Sequence, residues 1–272
     1  MDRKDIINMQ KVIAECTPAT VDLKIPDGVT EIKPYAYWNG TDLRTIAIPA
    51  SVTEIGEYAF AGCAGLQRFF VDPQNRYFCT DELGVLYDKE MTELIAYPAA
   101  LQPKPDVDAD GILWEQFYEI PEGVIRIAPG ACIGSKKVAN FLLPVSLVEI
   151  GNYAFALSQY LQETPNIEKN VAYIGEGVFD LCPWMGAIHV IKDNPYFCSV
   201  WGGLSTKDET RLIRVAEGQS GELYISENLE KIDDGAFANC SDLDTVYCPQ
   251  ALELKVSEAL QQCAKLPALI LL

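Results

Sequence analysis

Between residues 43 and 66 the chain reads LRTIAIPASVTEIGEYAFAGCAGL, and its apolar positions follow two rhythms in turn. LRTIAI alternates apolar and polar and is rich in β-branched residues, which predicts a short strand. Pro49 ends it, having no N–H to donate to a ladder. Beyond Gly56 the segment EYAFAGC predicts one or two turns of helix with Phe60 and Cys63 facing inward. The pattern then returns at a fixed step. Ile25, Ile48 and Val71 are 23 apart, as are Ile32 and Ile55, Tyr37 and Phe60, Ile120 and Leu143, and Ile127 and Ile150; Ile150 to Ile174 is 24. Phe155, Phe179 and Phe237 hold one slot, Pro26, Pro49, Pro121 and Pro144 another. Cys63, Cys182 and Cys240 each follow the Phe slot by three. Self-similarity at this period predicts a solenoid of stacked units. One unit cannot fold alone, because a handful of buried side chains at about 1.5–3 kcal/mol each does not offset about 1.5 kcal/mol per ordered residue.

A larger repetition lies over the small one. Ile55 to Ile174, Phe60 to Phe179 and Tyr77 to Tyr196 are all 119 apart; NRYFC at 75–79 matches NPYFC at 194–198, and GVLYDKEMTELI matches GGLSTKDETRLI. A three-repeat block has been duplicated, and each copy carries a hairpin insertion. In the first, residues 84–87 and 93–97 should pair around a turn at 88–92. The second, with Ser205 and Val215 departing from the pattern, should have shorter strands. Ile6, Met9, Val12, Ile13 and Cys16 share one helical face, so residues 2–15 are expected to form an amphipathic lid on the first repeat. At the other end Leu252, Val256, Leu260 and Cys263 predict a helix over 250–265, with 269–271 a last strand.

IP-x-S-V-x-x-IG-x-x-AF-x-GC-x-x-L, over about residues 21–243, resembles the BspA-type bacterial leucine-rich repeat, and residues 71–99 resemble the hairpin-bearing repeat of that family. The resemblance implies an α/β leucine-rich-repeat solenoid: short strands stacked in a sheet, short helices, two β-hairpin insertions and helical caps at the ends. Its parts would be a capping helix at 1–20, repeats at 21–249 with hairpins near 71–99 and 190–216, and a closing cap or degenerate repeat at 250–272. It implies a binding surface without a shared reaction. Some members resemble cell-surface adhesins that contact matrix proteins or other cells.

Charge narrows the partners. A net charge of −18 argues against nucleic acid, which needs a basic stripe, and against anionic membranes; it favours basic or neutral partners. No apolar run reaches the about 18 residues of a membrane span, so no membrane insertion is expected. The first residues lack the apolar core of a signal peptide, and the nine cysteines, several in one repeat slot, look like small buried hydrophobes. A reduced, cytoplasmic protein is the simplest expectation; a surface or secreted one is the alternative if an export signal has been trimmed.

Three candidate sites stand out. Asp106, Asp108 and Asp110 with Gly111 have the opening of a calcium loop, but Phe117 occupies the place of the bidentate Glu, and Pro103 and Pro105 preclude an entering helix. An acidic solvated loop is favoured and no cofactor is expected. His189, the single histidine, could serve catalysis with Cys182 or Cys198, but Cys182 sits in the structural slot and no catalytic spacing accompanies it. A non-enzymatic scaffold is therefore expected. In the repeat register His189 instead falls in the outward strand column: Lys24, Ala47, Phe70, Glu119, Leu142, Asn166, His189, Tyr224, Tyr247, Ile270. A solvated face should be polar there. Phe70, Leu142, His189, Tyr224 and Tyr247 are thus candidate contacts for a protein partner; folding of a hairpin over this column is the competing explanation.

Overall fold

Alternation within each strand becomes a parallel ladder in the computed structural model, which describes residues 21–103, 116–162 and 164–272. Val21–Lys24, Leu43–Ile48 and Arg68–Val71 lie side by side, with Leu23 against Ile46 against Phe69 and Lys24 against Ala47 against Phe70. Phe117–Glu119 pairs with Asn140–Leu142, and Ile167 bridges Val190. Gly221–Tyr224, Leu243–Cys248 and Ala268–Leu271 finish the face. One repeat along the chain is one strand sideways in space. A second ladder is built from two-residue strands and the last strand of each insertion: Ile32 meets Ile55, Leu94, Ile127, Ile150 and Ile174 form one column, and Leu212 meets Ile232. Gly56 and Gly151 press on the backbone of the preceding repeat. An added Cβ would lie 2.3 Å from Pro34 N and 2.6 Å from Pro129 N, so only hydrogen fits.

The segment after each such glycine is not helical, which corrects the α/β expectation. It is a coil of tight turns, with Ala59, Ala61 and Cys63 N–H donating to Gly56, Tyr58 and Phe60 O. Left-handed residues recur within it, Tyr58 at φ 57° and Gly62 at φ 76°. The cause is lateral bonding. Tyr35, Tyr37 and Asn39 N–H donate to Glu57, Ala59 and Ala61 O of the next repeat. Amides committed to a neighbouring repeat cannot also close the i→i−4 bonds of a helix.

Each insertion has three antiparallel strands. In the first, Phe78–Thr80, Leu86–Asp88 and Glu93–Ala96 run in order, and the last joins the second ladder beside Arg126–Ile127. The second comprises Phe197–Val200, Gly203–Thr206 and Arg211–Val215, the last beside Lys231–Ile232. Its strands are longer than those of the first, against expectation, because Trp201 (φ 49°) and Gly202 (φ 85°) are both left-handed and close a two-residue turn that lets pairing run to the tip. A buried asparagine pins each insertion. Asn75 Nδ2 donates to Pro49 O and Val52 O, while its Oδ1 accepts from Tyr77 and Phe78 N–H. Asn194 repeats this with Glu168 O, Val171 O, Tyr196 N–H and Phe197 N–H. The hairpins also straddle the cores: Leu86 packs with the first repeats while Tyr87 and Leu94 pack with the middle ones.

At the closing end a single 3₁₀ turn, Gln250–Leu252, leads into the helix Glu253–Leu260, which buries Val256 and Leu260. This helix is shorter than the expected 250–265, since the chain turns away to add Ala268–Leu271 to the sheet. The lid expected at 2–15 lies outside the described residues. Among the described residues no helix is long and apolar enough to cross a membrane.

Candidate partner-binding surface

The outward column assembles in the register expected from the repeats, but only part of it forms a continuous surface. Tyr224 pairs with Tyr247 and Tyr247 with Ile270. The residues on either side of each tyrosine, Leu223 and Ile225, Val246 and Cys248, are buried, so the strand pleat turns both rings outward. The rings stack with centroids 4.4 Å apart and planes 11° from parallel. A third ring, absent from the expected column, extends the cluster: Trp201 lies 4.7 Å from Tyr224, its plane tilted by 38°, and remains 58% exposed. The second hairpin delivers it. Gly202 O accepts from Ile188 N–H, so the turn fills the strand position between His189 and Tyr224. Far from covering the column, the insertion extends it. The duplication aligns Gly202 with Gly84 and so Trp201 with Leu83, but carries no sign that this turn enters the strand column.

Glu222 organises the stack from below. Its two carboxylate oxygens accept from Tyr224 Oη at 3.1 Å and Tyr247 Oη at 3.2 Å, and these hydrogen bonds hold both phenols above the usual tyrosine range. The third strand of this insertion, which pairs with the strand following Trp201, is held by buried ion pairs. Arg214 reaches Glu217 at 2.6 Å and Asp180 at 3.3 Å, and Glu217 Oε1 also accepts from Leu181 N–H and Asn239 Nδ2. Burial, reinforced by Asp180, raises the Glu217 carboxyl above its ordinary value despite Arg214. The equivalent places at the first insertion hold Ala61, Ala96 and Ala99.

The remaining candidates are not drawn into this cluster. Phe70 is exposed with the Arg68 guanidinium 5.4 Å over its ring. Leu142 is exposed beside Glu119 on a separate two-stranded piece. His189 is exposed on the strand face, whereas Cys182 is buried with its thiol directed at Phe155 O and Cys198 donates to Thr206 O. Burial raises both thiols, the reverse of what a nucleophile needs. No hydrogen bond joins the histidine side chain to either cysteine. Asp106, Asp108 and Asp110 lie outside the described residues; among those described, no group of three or more His, Cys, Asp or Glu is placed to hold a metal.

Known proteins place this architecture. A leucine-rich repeat protein from Eubacterium ventriosum aligns with a TM-score of 0.63 at 21% identity, over 83% of this chain and 54% of that one. The pneumococcal vaccine antigen PcpA gives 0.55 at 16%, over 90% and 60%. A leucine rich cell surface protein from Faecalibacterium prausnitzii gives 0.52 at 20%, over 86% and 64%. These likenesses are of fold, and the chain spans less than two thirds of the length of each. No curated protein matches it. Six copies of the BspA type leucine rich repeat region match at residues 8–81, 116–196 and 219–271. With most of its length matched and its repeats stacked as parallel ladders, the chain belongs to the BspA-type leucine-rich repeat family.

Proposed function

We propose that the protein is a non-enzymatic scaffold that recognises a protein partner through the outer face of its last strands, with Trp201, Tyr224 and Tyr247 as anchors. The observation that carries this is the aromatic cluster itself: three partly exposed rings, supplied by two paired strands and a hairpin turn. Large rigid side chains of this kind lose little conformational entropy on binding and dominate interface energetics. Tyr224→Ala combined with Tyr247→Ala should reduce recovery of the partner from lysate of the cells that make the protein. The melting temperature should stay the same, because both side chains are outside the core. Unfolding of the variant, or undiminished recovery of every bound protein, refutes the proposal.

The unpaired state of the eight described cysteines supports a reducing, cytoplasmic setting for this scaffold. A second reading, an adhesin at the cell surface that contacts host matrix or other cells, is favoured by the description of the Faecalibacterium relative as a cell surface protein. Protease treatment of intact cells separates them: a surface protein is cleaved, a cytoplasmic one is protected. Catalysis by His189 with a cysteine has the weakest support, since both candidate thiols face the interior or a backbone carbonyl.

A further inference from the structure

The first and last strand groups share one backbone register and differ in charge. In the first, Asp22 pairs with Thr45 and Lys24 with Ala47; in the last, Glu222 pairs with Thr245 and Tyr224 with Tyr247, with the same register shift after Val21 and Gly221. Asp22 is neutralised there. Arg44 donates to it from Nε at 3.1 Å and from Nη2 at 2.5 Å, and Thr45 Oγ1 lies at 2.7 Å. The place of Arg44 is taken by Asp244, that of Lys24 by Tyr224, and that of Arg68 by Ala268. Three cations in one group thus become an anion, an aromatic ring and a methyl group in the other.

The last group therefore keeps two exposed carboxylates, Glu222 and Asp244, and among the described residues neither has an ion pair. Trp201 stands at the open end of the aromatic stack, with Tyr224 against one side and the rest of the ring exposed. The first group also displays what suits such a ring, since the Arg68 guanidinium lies over Phe70. An open indole on one side of Tyr224 and a carboxylate pair on the other match a segment with more than one planar cation, since a guanidinium pairs bidentately with carboxylates and stacks on aromatic faces.

We infer that this part of the strand face binds an arginine-bearing, basic segment of the protein partner, one guanidinium against Trp201 and another paired with Glu222 and Asp244. This rests on the reading of the face as a partner-binding surface. The net charge of −18 would speed the encounter with such a segment.

The test is calorimetric titration with a synthetic peptide of alternating arginine and threonine, set against the same peptide with citrulline, the neutral isostere, in place of arginine. The arginine peptide should bind, and the citrulline peptide should bind at least about tenfold more weakly. Asp244→Arg supplies in cis the cation that Arg44 provides in the first group, and should weaken the arginine peptide by about tenfold or more, as should Glu222→Gln. Both positions are exposed, and an unchanged melting curve checks that each variant folds. No binding to the wild-type protein, equal binding of the citrulline peptide, or equal binding by Asp244→Arg and Glu222→Gln overturns the inference. If Tyr224→Ala with Tyr247→Ala still abolishes partner recovery in those cases, the surface stands and only the cation is wrong; if it does not, both fall. Sedimentation without peptide is the remaining arm. A dimer dispersed by Asp244→Arg would assign the acidic corner to the basic strands of a second copy and overturn the inference.

Discussion

Replacing Asn194 by alanine should unpin the second hairpin. Its side chain is fully buried, and its amide satisfies four backbone groups: the carbonyls of Glu168 and Val171 at 2.8 and 2.9 Å, and the N–H groups of Tyr196 and Phe197 at 2.8 Å each. Alanine removes all four bonds and leaves the backbone partners without a replacement. At about 1 kcal/mol for each bond, and more where a buried group stays unsatisfied, the expected loss is about 4 kcal/mol, at the upper end for a single substitution. Partial entry of water into the space would lower this toward about 2 kcal/mol. A solenoid need not unfold in one step, so urea denaturation should be followed together with hydrogen exchange resolved by residue. Amides of the second hairpin should lose protection first, while those of the ladder around Ile32 and Ile55 keep theirs. Asn75→Ala should do the same at the first hairpin. Only Asn194→Ala should also weaken partner capture, since only that hairpin carries Trp201. A loss below about 1 kcal/mol, or uniform loss of protection along the chain, would refute the view that this side chain holds the insertion in place.

Gly177→Ala should destabilise by about 2 kcal/mol or more in urea titration, because the residue is left-handed (φ 60°) and its Cβ would lie 2.1 Å from the Tyr153 ring; a change within error would refute the close packing. Glu217 binds its proton more tightly folded than unfolded, so between its ordinary value of 4.5 and its raised folded value its contribution to stability grows as pH falls. Glu217→Gln should flatten the dependence of the urea midpoint on pH in that window, and an unaltered slope would show that the group does not titrate there. Calcium at about 1 mM should give no binding heat, since the sequence motif at 106–111 lacks its twelfth-position ligand; a heat abolished by Asp108→Asn would establish the metal site instead.

The sequence by itself determined the architecture. A constant interval between isoleucines is a local property of the chain, and once such units stack it becomes a column, as Leu94, Ile127, Ile150 and Ile174 demonstrate. The duplication and the outward register of Tyr224 and Tyr247 followed from the same arithmetic. The turns after each glycine were not legible, because EYAFAGC has the composition of a helix and only the neighbouring repeat decides where its amides bond. Trp201 was likewise invisible as a partner of Tyr224. It is 23 residues away in the chain, outside the strand pattern, and meets that ring only because a two-residue turn projects the hairpin tip into the strand face. Tertiary structure alone also exposed the uncompensated charge: Asp244 reads as an ordinary surface acid until the shared register sets it where Arg44 stands in the first repeats. Periodicity writes the backbone, whereas a binding surface depends on which side chains the finished stack brings together from distant positions.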